Sequence, residues 1–294
     1  MPKPPAAMLG DTVPCALSDT MQKMVEEYAD ALRAAAPGIG SHGLDEPEFW
    51  RSGLFRSAIE RLRGQQAAAT KEKYGFVEKA LDQLKTAKLI ADFQFTGAGD
   101  RHDFHVYMPD ERVCVVEAKG CLDGNNTTIF QRPPNADEFM IWSLCQNQGS
   151  NLRAGVWSGT HTRIGAKIIA ENVRVEALIV WDALCGGPGR PCPKIKEGRG
   201  KMVGGVMVPP PCIYLFPRSI PDPRNNPTPL QVKLSEVALV SALLKHFNGD
   251  DRDVTEVRIE ARMNGTSLER KTTLVRAGRV VKQSGWTVLR RAAR

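Results

Sequence analysis

Gly99-Asp100-Arg101-His102-Asp103-Phe104-His105-Val106-Tyr107 and, after a five-residue turn, Val113-Cys114-Val115-Val116-Glu117-Ala118-Lys119-Gly120 form the stretch on which the reading of this chain turns. Both halves carry the apolar spacing of strands, and Met108-Pro109-Asp110-Glu111-Arg112 between them is rich in turn formers. If the turn centres on Asp110, Tyr107 faces Val113 and Asp103 faces Glu117. Directly opposed residues leave an antiparallel pair on the same face, with Cβ atoms ~5 Å apart. Alternation then sends Lys119 to the face of Glu117 and Ala118 to the other. The spacing thus brings two carboxylates and one amine together, and the carboxylates repel unless a cation lies between them.

Hydrolysis of a phosphodiester with a divalent metal needs hard oxygen ligands and a positive group that steers the attacking water. Asp103, Glu117 and Lys119 meet that need. The segment from about Thr96 to Gly120 resembles the PD-(D/E)XK nuclease superfamily, particularly type II restriction endonucleases, although His102 stands where that pattern has proline. The resemblance implies that Asp103 and Glu117 hold Mg²⁺ and that Lys119 positions the nucleophilic water or stabilises the developing charge. It also implies an endonuclease that cuts double-stranded DNA at a short site, acting as a homodimer, with host sites protected by a separate methyltransferase. Asp100 is an alternative first ligand, although it lies beyond the strand partner of Glu117. Glu60 and Glu78 on preceding helices, and Gln146 and Gln148 after the hairpin, are candidate accessory residues. His105 shares the expected face of Asp103. Two other readings stay open: a structure-specific repair, recombination or transposition nuclease, and a non-catalytic DNA-binding protein of the same fold.

Upstream, Met21, Met24, Val25, Tyr28 and Leu32 recur at helical spacing from Ser18 to Ala35, and Pro37-Gly38 stops them. A second helix is expected from Glu46, carrying Phe49, Trp50, Leu54, Phe55, Ile59 and Leu62, with an interruption at Gly64 before helix resumes from Thr70 to Leu89. These stripes read as core faces. Phe93 and Phe95 suggest another strand. Downstream, Ala136 to Asn147 and Ser158 to Asn172 read as helices, Val175 to Trp181 and Ile213 to Phe216 as strands, and Ser235 to Phe247 as an amphipathic helix. The tail from Arg252 to Arg294 alternates like strands around Val257, Leu274 and Val288. The fold expected is α/β: a mixed central sheet flanked by helices, in the manner of a restriction endonuclease core. Residues 1–92 form a helical N-terminal segment packed on the core, 93–220 the catalytic core, and 221–294 a basic extension for DNA binding or dimerisation.

Forty Lys and Arg face 33 Asp and Glu, a formal charge of +7 that favours a polyanionic partner. Between Cys185 and Gly205 a glycine-rich and proline-rich loop concentrates Arg190, Lys194, Lys196, Arg199 and Lys201, the expected DNA contacts. Seven cysteines without a Cys-x-x-Cys pair read as free thiols in a reducing cytoplasm. No apolar stretch is long enough for a membrane span, so a membrane is not an expected partner.

Overall fold

A computed structural model describes residues 10–67, 70–96, 103–120, 132–145 and 148–289. The expected Asp100, His102 and Gln146, together with Gly97, Gly99 and Asn147, lie outside the described residues. A ten-stranded mixed sheet forms the centre, with helices on both faces.

Among the described residues, four helices lead into it: α1 (Asp19–Ala35), α2 (Glu46–Ser52), α3 (Leu54–Ala67) and α4 (Thr70–Thr86). Their starts are chemically specified. The Ser18 hydroxyl accepts the Met21 N–H at 3.3 Å, and the Asp45 carboxylate accepts the Glu48 N–H at 2.8 Å. A break not expected falls at Gly53, whose φ of 72° terminates α2, and helix runs through Gly64 to Ala67. α4 buries a full stripe, Val77, Ala80, Leu81 and Leu84. α1 buries none of its residues and exposes Met24 and Tyr28, so its apolar spacing gives a helix and not the core face expected. A periodic pattern specifies winding; what covers the stripe is decided elsewhere in the chain.

Strands β1 (Asp92–Phe95), β2 (Phe104–Tyr107) and β3 (Val113–Lys119) run as an antiparallel meander. Tyr107 pairs with Val113, Val106 with Cys114, His105 with Val115 and Phe104 with Val116, the register implied by a turn at Asp110. β4 (Glu138–Cys145) then lies parallel to β3, and β5 (Ala177–Asp182) parallel to β4. β4 falls where a helix was expected. All eight of its residues are buried, and a strand covered on both faces reads as a continuous apolar run without alternation.

Helix α5 (Leu152–Ser158), a π-helical segment (Gly159–Ile164) and α6 (Gly165–Ala170) join β4 to β5. The loop expected from Cys185 to Gly205 contains the short helix α7 (Pro193–Lys196) and β6 (Lys201–Val203), which pairs with β7 (Val206–Val208). β8 (Cys212–Leu215) rejoins the main sheet beside β5, followed by α8 (Ala238–His246). β9 (Val254–Asn264), β10 (Ser267–Arg276), β11 (Arg279–Gln283) and β12 (Thr287–Val288) complete the sheet, with β9 parallel to β8. The basic C-terminal segment therefore supplies four strands, β9 to β12, of one continuous sheet.

Alternation sorts the core into two layers. On one face Phe104, Val106, Cys114, Val116, Met140 and Trp142 pack beneath α4 and α8. On the other Val115, Ile141, Leu178, Val180, Tyr214 and Val257 pack beneath α5 and α6. Each fully buried side chain of this size contributes ~1.5–3 kcal/mol from water exclusion, so both layers fix the strand register tightly.

Candidate active site

The β2/β3 ladder ends at Phe104 opposite Val116, leaving Asp103 one residue beyond it. The Asp103 N–H donates to the Val116 carbonyl at 3.1 Å, a partner one position short of Glu117. Its carboxylate turns onto β3, where Oδ2 accepts the Ala118 N–H at 2.6 Å. Asp103 is thereby fixed against the peptide that joins Glu117 to Lys119.

Glu117 and Lys119 leave β3 on the same face, and the Lys119 ammonium pairs with the Glu117 carboxylate. Asp103 and Glu117 are 8% and 5% exposed. β4 supplies the neighbouring positions, Ile141 beside Glu117 and Ser143 beside Lys119. The Ser143 hydroxyl donates to the Gly120 carbonyl at 2.9 Å, holding the end of β3 in place.

Tyr74, from the first turns of α4, completes the cluster, and sequence reasoning missed it. Its hydroxyl donates to the Asp103 carboxylate. Burial, that hydrogen bond, and the charges of Asp103 and Glu117 raise the phenol well above its ordinary value, so Tyr74 is a neutral donor at physiological pH. Its ring lies 5.1 Å from Phe95 and 6.2 Å from Phe104. The signal was present in the spacing: Tyr74 precedes Val77, Leu81 and Leu84 on one helical face, so its polar tip had to emerge beside the sheet.

The expected accessory acids sit apart from this group. Glu60 on α3 and Glu78 on α4 are exposed, and no third His, Cys, Asp or Glu groups with Asp103 and Glu117 to form a larger ligand set among the described residues. Gln148 packs against Gly189 and accepts Arg190 through its carbonyl at 3.1 Å. His105 is half-buried on β2, its ring 6.4 Å from that of Tyr107.

Several expected DNA contacts turn inward. Arg190 is 1% exposed, pairs with Asp182 at 2.8 Å and donates to the Ser150 carbonyl at 2.8 Å. Lys194 is 3% exposed, pairs with Asp253 at 2.9 Å and donates to the Pro210 carbonyl at 2.8 Å. Burial alone would lower the Lys194 ammonium, but Cys212 and Asp253 outweigh it and hold it up. Arg199 is half-buried and bridges Asp253 at 2.6 Å and Asp250 at 3.4 Å. Loops rich in glycine and proline make few backbone ladders, and these cations supply the loop's internal bonds instead. Lys196 and Lys201 remain exposed.

The donor set suits a hard divalent cation. Asp103 and Glu117 offer carboxylate oxygens, and together with Lys119 the three side chains carry a net negative charge in a largely buried place. No family model, no curated protein and no solved structure matches this chain.

Proposed function

We propose that the chain is a Mg²⁺-dependent endonuclease that hydrolyses double-stranded DNA, built on Asp103, Glu117 and Lys119. The observation that carries this reading is the grip of the Asp103 carboxylate on the Ala118 N–H, which draws an acid from one strand against the acid-x-lysine of the next. The meander β1–β2–β3, led by α4 and followed by parallel β4, supports a restriction-endonuclease-like core. The net charge of +7 supports a polyanionic substrate.

In this reading Asp103 and Glu117 hold the cation, which supplies polarisation of the scissile phosphate and a more acidic water. The chain's own groups do the rest. The Lys119 ammonium stands beside Glu117, where it orients water and meets negative charge developing on the phosphate. Tyr74 and the Ala118 amide both donate to Asp103, which fixes its rotamer. Cleavage at a short palindromic site would call for a homodimer, and a separate methyltransferase would protect host DNA.

The test is incubation of purified protein and Mg²⁺ with supercoiled plasmid and, separately, with branched and damaged duplexes, with sequencing of product ends. Discrete fragments support a restriction enzyme, and nicks confined to branched or damaged DNA support a repair or recombination role. No cleavage of any DNA under these conditions refutes the catalytic reading.

A further inference from the structure

The helical layer over β10 covers a buried cation with no acidic partner among the described residues. Arg270 pairs with Ala261 across β9 and β10 and is 3% exposed. Two other buried arginines are well satisfied: Arg190 by Asp182, and Arg276 by the Thr12 carbonyl at 2.7 Å and the Thr255 hydroxyl at 2.9 Å. Arg270 has one ordinary hydrogen bond and two long ones, none of them to a carboxylate among the described residues. Its Nη1 lies 3.2 Å from His161 Nδ1 and 3.4 Å from Thr272 Oγ1, its Nη2 3.5 Å from the Thr162 carbonyl, and its buried Nε has no acceptor among the described residues. Burial without compensation lowers the guanidinium to about 10.

The surroundings add positive charge instead of removing it. His161 lies in the π-helical segment, a winding found often at functional sites, and stacks on Trp157 at 5.0 Å with the rings 4° from parallel. Lys282 on β11 places its ammonium 4.7 Å from the centre of the Trp157 ring. Burial, then Arg270 and Lys282, lower the His161 imidazole to about 4. In the same segment Thr160 is fully buried, and its hydroxyl has no partner among the described residues. Lys282 is exposed and His161 and Trp157 are half-buried, so the cluster runs from a buried guanidinium to solvent.

We propose that Arg270, His161 and Lys282 form an oxyanion site that takes a phosphate group, either from a polynucleotide backbone or as free phosphate. A buried guanidinium with an unspent donor is a fixed fork suited to phosphate oxygens. Two permanent cations match a phosphate dianion. The neutral imidazole beside Arg270 accepts a proton when the anion arrives, because the anion offsets the repulsion that, with burial, holds it neutral. The site stands independently of the nuclease reading, since none of its residues belongs to the Asp103 cluster.

The experiment follows the ring resonances of His161 by NMR in the full chain, without divalent metal so that no DNA is cut. Inorganic phosphate is titrated in one arm and a short DNA duplex in the other. The expected result is a saturable shift of the His161 resonances and a rise in the pH at which its ring titrates, with affinity several-fold weaker in Lys282→Ala and abolished in Arg270→Gln. Saturation by DNA far below the phosphate concentration needed identifies a backbone phosphate, and saturation by inorganic phosphate alone identifies a small phosphorylated ligand. Lys282 is exposed, so its variant reports even if Arg270→Gln does not fold. No response of His161 to either anion, or unchanged phosphate affinity in Lys282→Ala, overturns the proposal. Absence of plasmid cleavage with a responsive His161 would remove the nuclease reading and leave this site in place.

Discussion

The Asp103 carboxylate accepts the Ala118 N–H at 2.6 Å, so an acid from one strand holds the peptide between Glu117 and Lys119 on the next. The three side chains therefore act as one unit, and removing any of them disturbs the others. Lys119→Ala is expected to lower DNA cleavage by orders of magnitude, because it removes the ammonium that pairs with the Glu117 carboxylate. It is also expected to cost about 1–3 kcal/mol of stability, since Glu117 is 5% exposed and loses its charged partner. Single-turnover cleavage and urea unfolding of the same preparation check both effects, and a wild-type rate in the folded variant would refute the assignment.

Tyr74→Phe isolates one hydroxyl. The ring contacts to Phe95 and Phe104 survive the change, while the hydrogen bond to Asp103 does not. Stability should fall by about 1 kcal/mol, the usual net value of such a bond. The Mg²⁺ concentration giving half-maximal cleavage should rise, because Asp103 loses a group that fixes its rotamer. Equal Mg²⁺ curves for Tyr74→Phe and wild type would make Tyr74 a packing residue alone.

The basic loop separates into two kinds of lysine. Lys194 is buried against Asp253, and Lys194→Ala should destabilise the fold by about 3 kcal/mol, with Arg199 still beside Asp253 to limit the damage. Lys196 and Lys201 are exposed, and replacing both should reduce the log-log salt slope of DNA binding by about 0.9 for each phosphate they neutralise. Binding isotherms at several salt concentrations, with thermal unfolding alongside, distinguish the two effects. A flattened slope in folded Lys194→Ala would contradict the burial described above.

The hairpin was legible because its register follows from a turn of fixed length: once Asp110 is the centre, Phe104 must meet Val116. β4 was not legible, because a run such as Phe139-Met140-Ile141-Trp142 carries the same hydrophobicity as a buried helix, and only parallel neighbours on both sides make it a strand. Burial of charge was equally hidden. Nothing local distinguishes Lys194 from Lys196, and the difference arises from Asp253, fifty-nine residues downstream of Lys194 and brought close by β9 pairing with β8. Tyr74 lay in plain view on a helical stripe, but its target, Asp103, is set by how α4 crosses the sheet.

Asp103→Asn tests the metal directly. The amide keeps an oxygen that can accept the Ala118 N–H and has nearly the same shape, so the β2/β3 geometry should persist. What it removes is one negative charge from a pair that would otherwise attract Mg²⁺. The Mg²⁺ requirement for cleavage should rise steeply, while DNA binding in Ca²⁺ persists or tightens, because repulsion between the phosphate and the carboxylates is reduced. Cleavage measured across a Mg²⁺ series, with EDTA as control and gel shift in Ca²⁺, reads both effects on one variant. An unchanged Mg²⁺ dependence would remove Asp103 from the ligand set, and wild-type cleavage in EDTA would remove the metal from the chemistry altogether.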